Sequence, residues 1–142
     1  MNLGHVEEAI EMLMDVLRDA REKSIVEPEL ISLRCLADAH RRLGNYAQAR
    51  AFLDDLAEPA ARGPYRLVQA DAANVLALLE RDCGNHEAAV VAATAAYWYA
   101  WCDEPPHTYH WALQRAACTL QELGASPPQL RPRQTTRSGG TQ

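Results

Sequence analysis

Glycine recurs at positions 4, 44, 84 and 124 of this chain, a period of 40 residues. The first three glycines open similar stretches: Leu3-Gly4-His5-Val6-Glu7-Glu8-Ala9, Leu43-Gly44-Asn45-Tyr46-Ala47-Gln48-Ala49 and Cys83-Gly84-Asn85-His86-Glu87-Ala88-Ala89. An alanine follows each of the three by five residues (Ala9, Ala49, Ala89). Another precedes the later three by seven (Ala37, Ala77, Ala117). Self-similarity at a fixed spacing of this size is the signature of stacked repeats, in which each unit buries its apolar face only against its neighbours.

Between the glycines the apolar residues recur at helical spacing, as in Val6, Ala9, Ile10, Leu13, Val16, Leu17 and Ala20. The pattern predicts about six helices. They run from about His5 to Lys23, Pro28 to Leu43, Tyr46 to Ala57, Pro64 to Cys83, His86 to Cys102 and Thr108 to Leu123. Pro28 suits a first helical turn, each glycine suits a left-handed helix stop, and Pro59 reads as closing the third helix. Short glycine turns between helices predict antiparallel hairpins. The chain therefore divides into an all-α repeat domain, 1–124, and a tail, 125–142, rich in Pro, Gly, Ser, Thr and Gln. Such a tail holds too little apolar surface to order itself and is expected to be disordered from about residue 131.

Charge narrows the function classes. The tail carries +3 through Arg131, Arg133 and Arg137, which leaves −8 on the rest of a chain whose net charge is −5. An acidic body argues against nucleic acid as a partner. No apolar run reaches the roughly 20 residues of a membrane span, and no secretory pattern opens the chain. Cys35, Cys83, Cys102 and Cys118 accordingly read as reduced, partly buried thiols of a cytoplasmic protein. Cys102, His107, His110 and Cys118 match no zinc spacing. No GxSxG, HExxH or phosphate-loop motif occurs, so neither metal, cofactor nor catalysis is expected.

The stretch from Leu36-Ala37 through Gly44-Asn45-Tyr46-Ala47-Gln48-Ala49 to Phe52-Leu53 resembles tetratricopeptide repeats, and Leu76-Ala77 to Gly84-Asn85 and Ala89 does so nearly as well. The likeness covers roughly residues 2–124, with a period longer than the common one of about 34. It implies a right-handed superhelical α-solenoid of helix pairs, A then B. In that frame the chain reads B, A–B, A–B, A. Ala100-Trp101-Cys102-Asp103-Glu104-Pro105-Pro106 with Tyr109-His110-Trp111-Ala112-Leu113 is further similar to the closing repeat of long bacterial arrays, which are often attached to nucleotide-hydrolysing signalling modules.

In this family the A helices line a concave surface that takes partner peptides or helices. Carried onto this chain, the resemblance places there Arg34, Asp38, Arg41 and Arg42 from the second helix and Asp71, Asn74, Leu78 and Arg81 from the fourth. Trp111, Gln114, Arg115, Cys118 and Glu122 come from the sixth. These side chains can pair with acids or hydrogen-bond a peptide, with Trp111 as an apolar anchor; a merely solvated helix face carries the same residue types. Some members clamp a terminal carboxylate, a role open to Arg34 and Arg115. Asp38 and Val75 stand where that clamp needs asparagine, and an acid repels a carboxylate, so such a clamp is not expected. Six of the nine aromatics fall between Tyr97 and Trp111; they are expected to fill the gap between the last two helices, with at least one left exposed.

The expected function is recognition of a protein or peptide partner in the concave groove. The alternative is a regulatory C-terminal segment of a larger signalling ATPase, docking or self-associating through its end helices.

Overall fold

The computed structural model describes residues 3–101 and 109–128. They form six helices: α1 (Leu3–Glu22), α2 (Val26–Arg42), α3 (Tyr46–Arg62), α4 (Arg66–Asp82), α5 (His86–Trp101) and α6 (His110–Glu122). No strand occurs among the described residues, and none of their helices is long and apolar enough to cross a membrane. The expected disorder beyond residue 131 lies outside the described residues.

Three of the periodic glycines do what the spacing predicts. Gly44, Gly84 and Gly124 adopt φ of +81°, +81° and +77°, the left-handed region that lets a helix turn out without a Cβ clash. The same two bonds close each turn. Gly44 N–H donates to Arg41 O at 3.0 Å and Asn45 N–H to His40 O at 2.8 Å. Gly84 and Asn85 repeat this onto Arg81 and Glu80, as do Gly124 and Ala125 onto Gln121 and Leu120. Asn45 and Asn85 also reach back with their side chains, to the His40 ring and the Glu80 carboxylate, both at 3.3 Å. Ser24 takes the glycine's place after α1, at φ 57°, with Ile25 N–H donating to Ala20 O at 2.9 Å.

Each helix packs on the next in sequence, and α2 with α4 and α4 with α6 pack as well. Among the described residues the backbones of α1, α3 and α5 do not approach one another, with only a side-chain ion pair from Arg21 to Asp55 at 4.0 Å joining α1 to α3, so the even-numbered helices form the spine. The largest core joins Leu17, Leu30, Leu33, Leu36, Phe52, Leu53, Leu56 and Leu79, with the His40 ring stacked on Phe52 at 5.5 Å. Alanines take over towards α5, where Ala77, Ala92 and Ala93 surround Leu120 and Ala70 meets Ala100 and Ala112. The small residues at the repeat positions, Ala37, Ala77, Ala49 and Ala89, are all fully buried, which is what close helix contact beside a tight turn requires.

Four local expectations change. Gly4 lies inside the first turn of α1 and not at a helix stop. Pro59 does not stop α3, which runs on to Arg62. Pro59 cannot donate to the Asp55 carbonyl, but Leu56 and Ala60, on either side of it, are buried, and this packing holds the last turn. Pro28 sits in the first turn of α2 as expected, though the helix begins earlier, at Val26. Among the described cysteines Cys83 and Cys118 are exposed and Cys35 is half-buried; Cys118 falls on the cleft-side helix face, one period after Leu78 and two after Asp38.

Candidate functional site

The even-numbered helices present their polar residues to one side. Arg34, Asp38 and Arg42 from α2, Asp71, Asn74, Val75 and Leu78 from α4, and Trp111 and Arg115 from α6 line a single cleft of about 290 Å³. A second hollow of about 370 Å³ adjoins it through Leu78, Trp111 and Arg115, and adds Gln114, Cys118 and Glu122. The fold thus brings together seven of the nine residues read from the sequence as partner-contacting: Arg34, Asp38, Asp71, Asn74, Trp111, Gln114 and Arg115.

The other two are spent on the fold. Arg41 is mostly buried and bridges Asp38 at 3.0 Å and Asp82 at 2.9 Å. Arg81 bridges Asp82 at 3.2 Å and Glu122 at 2.7 Å. Arg41 to Asp82 and Arg81 to Glu122 are the same contact one period apart, so these arginines tie α2 to α4 and α4 to α6. Hydrogen bonds to Asp82 and the charges of both acids outweigh burial and hold the Arg41 guanidinium above its ordinary range.

The cleft floor is Asn74, 7% exposed. Its Nδ2 donates to Ala112 O at 3.1 Å, which leaves Oδ1 buried without a hydrogen-bond partner. A buried acceptor of this kind costs about 1–3 kcal/mol until a donor reaches it. Above it, Asp71 faces Arg34 at 3.9 Å. Burial pushes the Asp71 carboxyl above its usual range, and the charges of Arg34 and Arg115 only partly oppose that. The rim is Trp111, 72% exposed, with the Arg115 guanidinium 5.8 Å from its ring centre. The cleft therefore has an exposed apolar plate at its rim, guanidiniums on opposite walls, and an unpartnered acceptor buried beneath its base.

Two features were less visible in the sequence. An apolar groove of about 550 Å³ runs between α3, α4 and α5, lined by Leu53, Leu56, Leu76, Val91, Tyr99 and many alanines. Its signal was the composition of α5, apolar on nearly every face. Arg66 clamps the far end: its Nε and Nη2 donate to Tyr99 O and Trp98 O at 2.8 and 2.9 Å, supplying the cation that the last turn of α5 lacks. Of the clustered aromatics, Trp98 and Trp111 are exposed while Tyr97, Tyr99, Trp101 and Tyr109 are half-buried. No cluster of three metal-ligating residues occurs among the described residues; Cys102 and His107 lie outside them.

Comparison with family models, curated proteins and solved structures found no match to this chain.

Proposed function

We propose that this chain is a protein-recognition module of the tetratricopeptide kind: antiparallel helix pairs stacked in a right-handed superhelix, with a peptide or helix of a partner bound across α2, α4 and α6. No bond is made or broken. The observation that carries the reading is Asn74. A chain that gained nothing from the cleft would satisfy or remove its buried Oδ1, and here that atom lies unpartnered beneath the cleft floor, where a peptide N–H would meet it once the cleft opens around a ligand. Arg34 and Arg115 would take acidic side chains of the ligand, and Trp111 would cover an apolar one. Three unpaired thiols, Cys35, Cys83 and Cys118, fit work in a reducing compartment such as the cytoplasm.

Selection from a random peptide library on the folded chain tests this. The wild-type chain should enrich peptides that carry an acid near an apolar residue. The Arg34→Glu/Arg115→Glu variant, with unchanged helicity by circular dichroism, should bind those peptides at least tenfold more weakly, as expected when one partner of a charge-assisted contact is reversed. Equal binding by the variant would move recognition away from this cleft.

A further inference from the structure

One period of this chain fills a space that the next leaves open. The helices keep the 40-residue register: α1 and α3 end at Glu22 and Arg62, α2 and α4 at Arg42 and Asp82. Positions 40 residues apart in these helices are therefore structural equivalents. Across α1, α2 and α3, Leu33 and Phe52 are buried, and the Phe52 ring stacks on His40. Arg21 of α1 closes over the same side, reaching Glu29 of α2 at 3.2 Å and Asp55 of α3 at 4.0 Å. Across α3, α4 and α5 four of these groups are cut back to alanine. Ala73 stands for Leu33, Ala92 for Phe52, Ala61 for Arg21 and Ala95 for Asp55, while Gln69 stands for Glu29. All five line the apolar groove of about 550 Å³. Ala73 is only half-buried where Leu33 is fully buried, so the neighbouring helices have not closed the space.

The groove runs along α5 from Ala88 to Tyr99, about 16 Å at the helical rise. Its volume is that of a small-molecule site. Only Gln69, Glu80 and Tyr99 bring polar side-chain atoms to it, and the Glu80 carboxylate already accepts from Arg50 at 2.6 Å and Asn85 at 3.3 Å. A peptide strand laid here would bury backbone N–H and C=O groups with almost nothing to pair them. An alkyl chain has no such groups and gains by leaving water. Val91, on the wall, is 69% exposed, so there is apolar surface for such a chain to cover.

Charge separates the two ends. Near Ala88, Glu80 and Arg50 neutralise each other. Near Tyr99, the Arg66 guanidinium lies 5.9 Å from the Tyr99 ring centre. It donates to the Trp98 and Tyr99 carbonyls and forms no ion pair among the described residues, whereas the adjacent Arg62 is matched by Glu58. Two of its five N–H groups are engaged, which leaves donors for an anion at that end alone.

We propose that this groove binds a free medium-chain fatty acid, its alkyl chain lying along α4 between α3 and α5 and its carboxylate paired with Arg66 beside Tyr99. The site shares no lining residue with the α2–α4–α6 cleft.

Titration calorimetry on the full 142-residue chain tests this, with decanoate and decanol as probes below the concentration at which either aggregates. Wild type should bind one molecule of either per chain. Arg66→Gln should weaken decanoate roughly threefold to fivefold, the range of an exposed ion pair, and leave decanol unchanged. Val91→Asp alters an exposed position and should weaken both probes by about tenfold or more, because it sets a charge against the alkyl chain. Helicity by circular dichroism checks both variants, and Val91→Asp keeps the test decisive if loss of the Arg66 contacts unfolds α5. A wild-type chain that binds neither probe overturns the proposal. So does a folded Arg66→Gln that binds decanoate as tightly as wild type, or a Val91→Asp that binds both probes unchanged. A wild-type mass that doubles with concentration and reverts in Val91→Asp would give the groove to a second copy, and selected peptides lost in that variant would give it to a protein partner; either result also overturns it. Arg34→Glu/Arg115→Glu should bind decanoate as wild type does, so this reading and that of the cleft fail separately.

Discussion

At the cleft, burial has been imposed on two polar side chains without full compensation. Asn74 forms one of its hydrogen bonds and leaves an oxygen dry. Asp71 has arginines nearby, but desolvation exceeds their attraction and its carboxyl stays above the usual range. The folded state holds the Asp71 proton more tightly than the unfolded state does. The stability cost is thus present above the folded pKa and declines as pH falls through it. Asp71→Asn should therefore raise the urea midpoint at neutral pH, and the gain should shrink as pH falls through the folded pKa and vanish below the unfolded one. A variant less stable than wild type at neutral pH would show that pairing with Arg34 outweighs burial. Glu80 carries the opposite sign. Its hydrogen bond from Arg50, at 2.6 Å, holds its carboxyl below the usual range, so its contribution persists well into acid.

Among the elements, the four closely similar helix stops invite a direct comparison. Gly44, Gly84 and Gly124 occupy the left-handed region with no Cβ, and a Cβ built on any of them would meet nothing within 4 Å. Their advantage is thus conformational and not steric. Ser24 pays the left-handed penalty that they avoid. Ser24→Gly should stabilise the chain by about 0.5–1 kcal/mol in urea unfolding, the usual cost of a side chain at such a site less the glycine's extra unfolded-state entropy. No change would mean that the turn after α1 is already frayed. These stops were legible in the sequence because glycine has few other reasons to recur at one spacing. The Ser24 turn was not, since serine signals nothing about a left-handed backbone. Pro59 misled for the complementary reason: the proline rule is local, and the packing of Leu56 and Ala60 that overrides it is tertiary. The cleft was legible in outline because the tetratricopeptide resemblance, laid on the repeat register, implied that Arg34, Asp71, Asn74 and Arg115 share one side. That Arg41 and Arg81 serve as ties between helices was not. Their partners, Asp82 and Glu122, lie 41 residues further along, and only the packing angle of the helices brings them within reach.

For the whole molecule, the alternation of roles is the unifying feature. The even-numbered helices form a continuous spine and show their polar face to the cleft. The odd-numbered helices cover the spine, and their backbones do not come together among the described residues, though Arg21 of α1 reaches Asp55 of α3 at 4.0 Å. A selected peptide should lie across α2, α4 and α6. Side-chain NMR on the full chain reads this directly, through the Trp111 indole N–H and the Asn74 side-chain amide. Titration with a peptide from the library should shift both signals, together with the Nε–H groups of Arg34 and Arg115. Val91 and Leu56 in the apolar groove should stay in place. Shifts confined to that groove, with Trp111 and Asn74 unmoved, would contradict the assignment of the α2–α4–α6 face as the recognition surface.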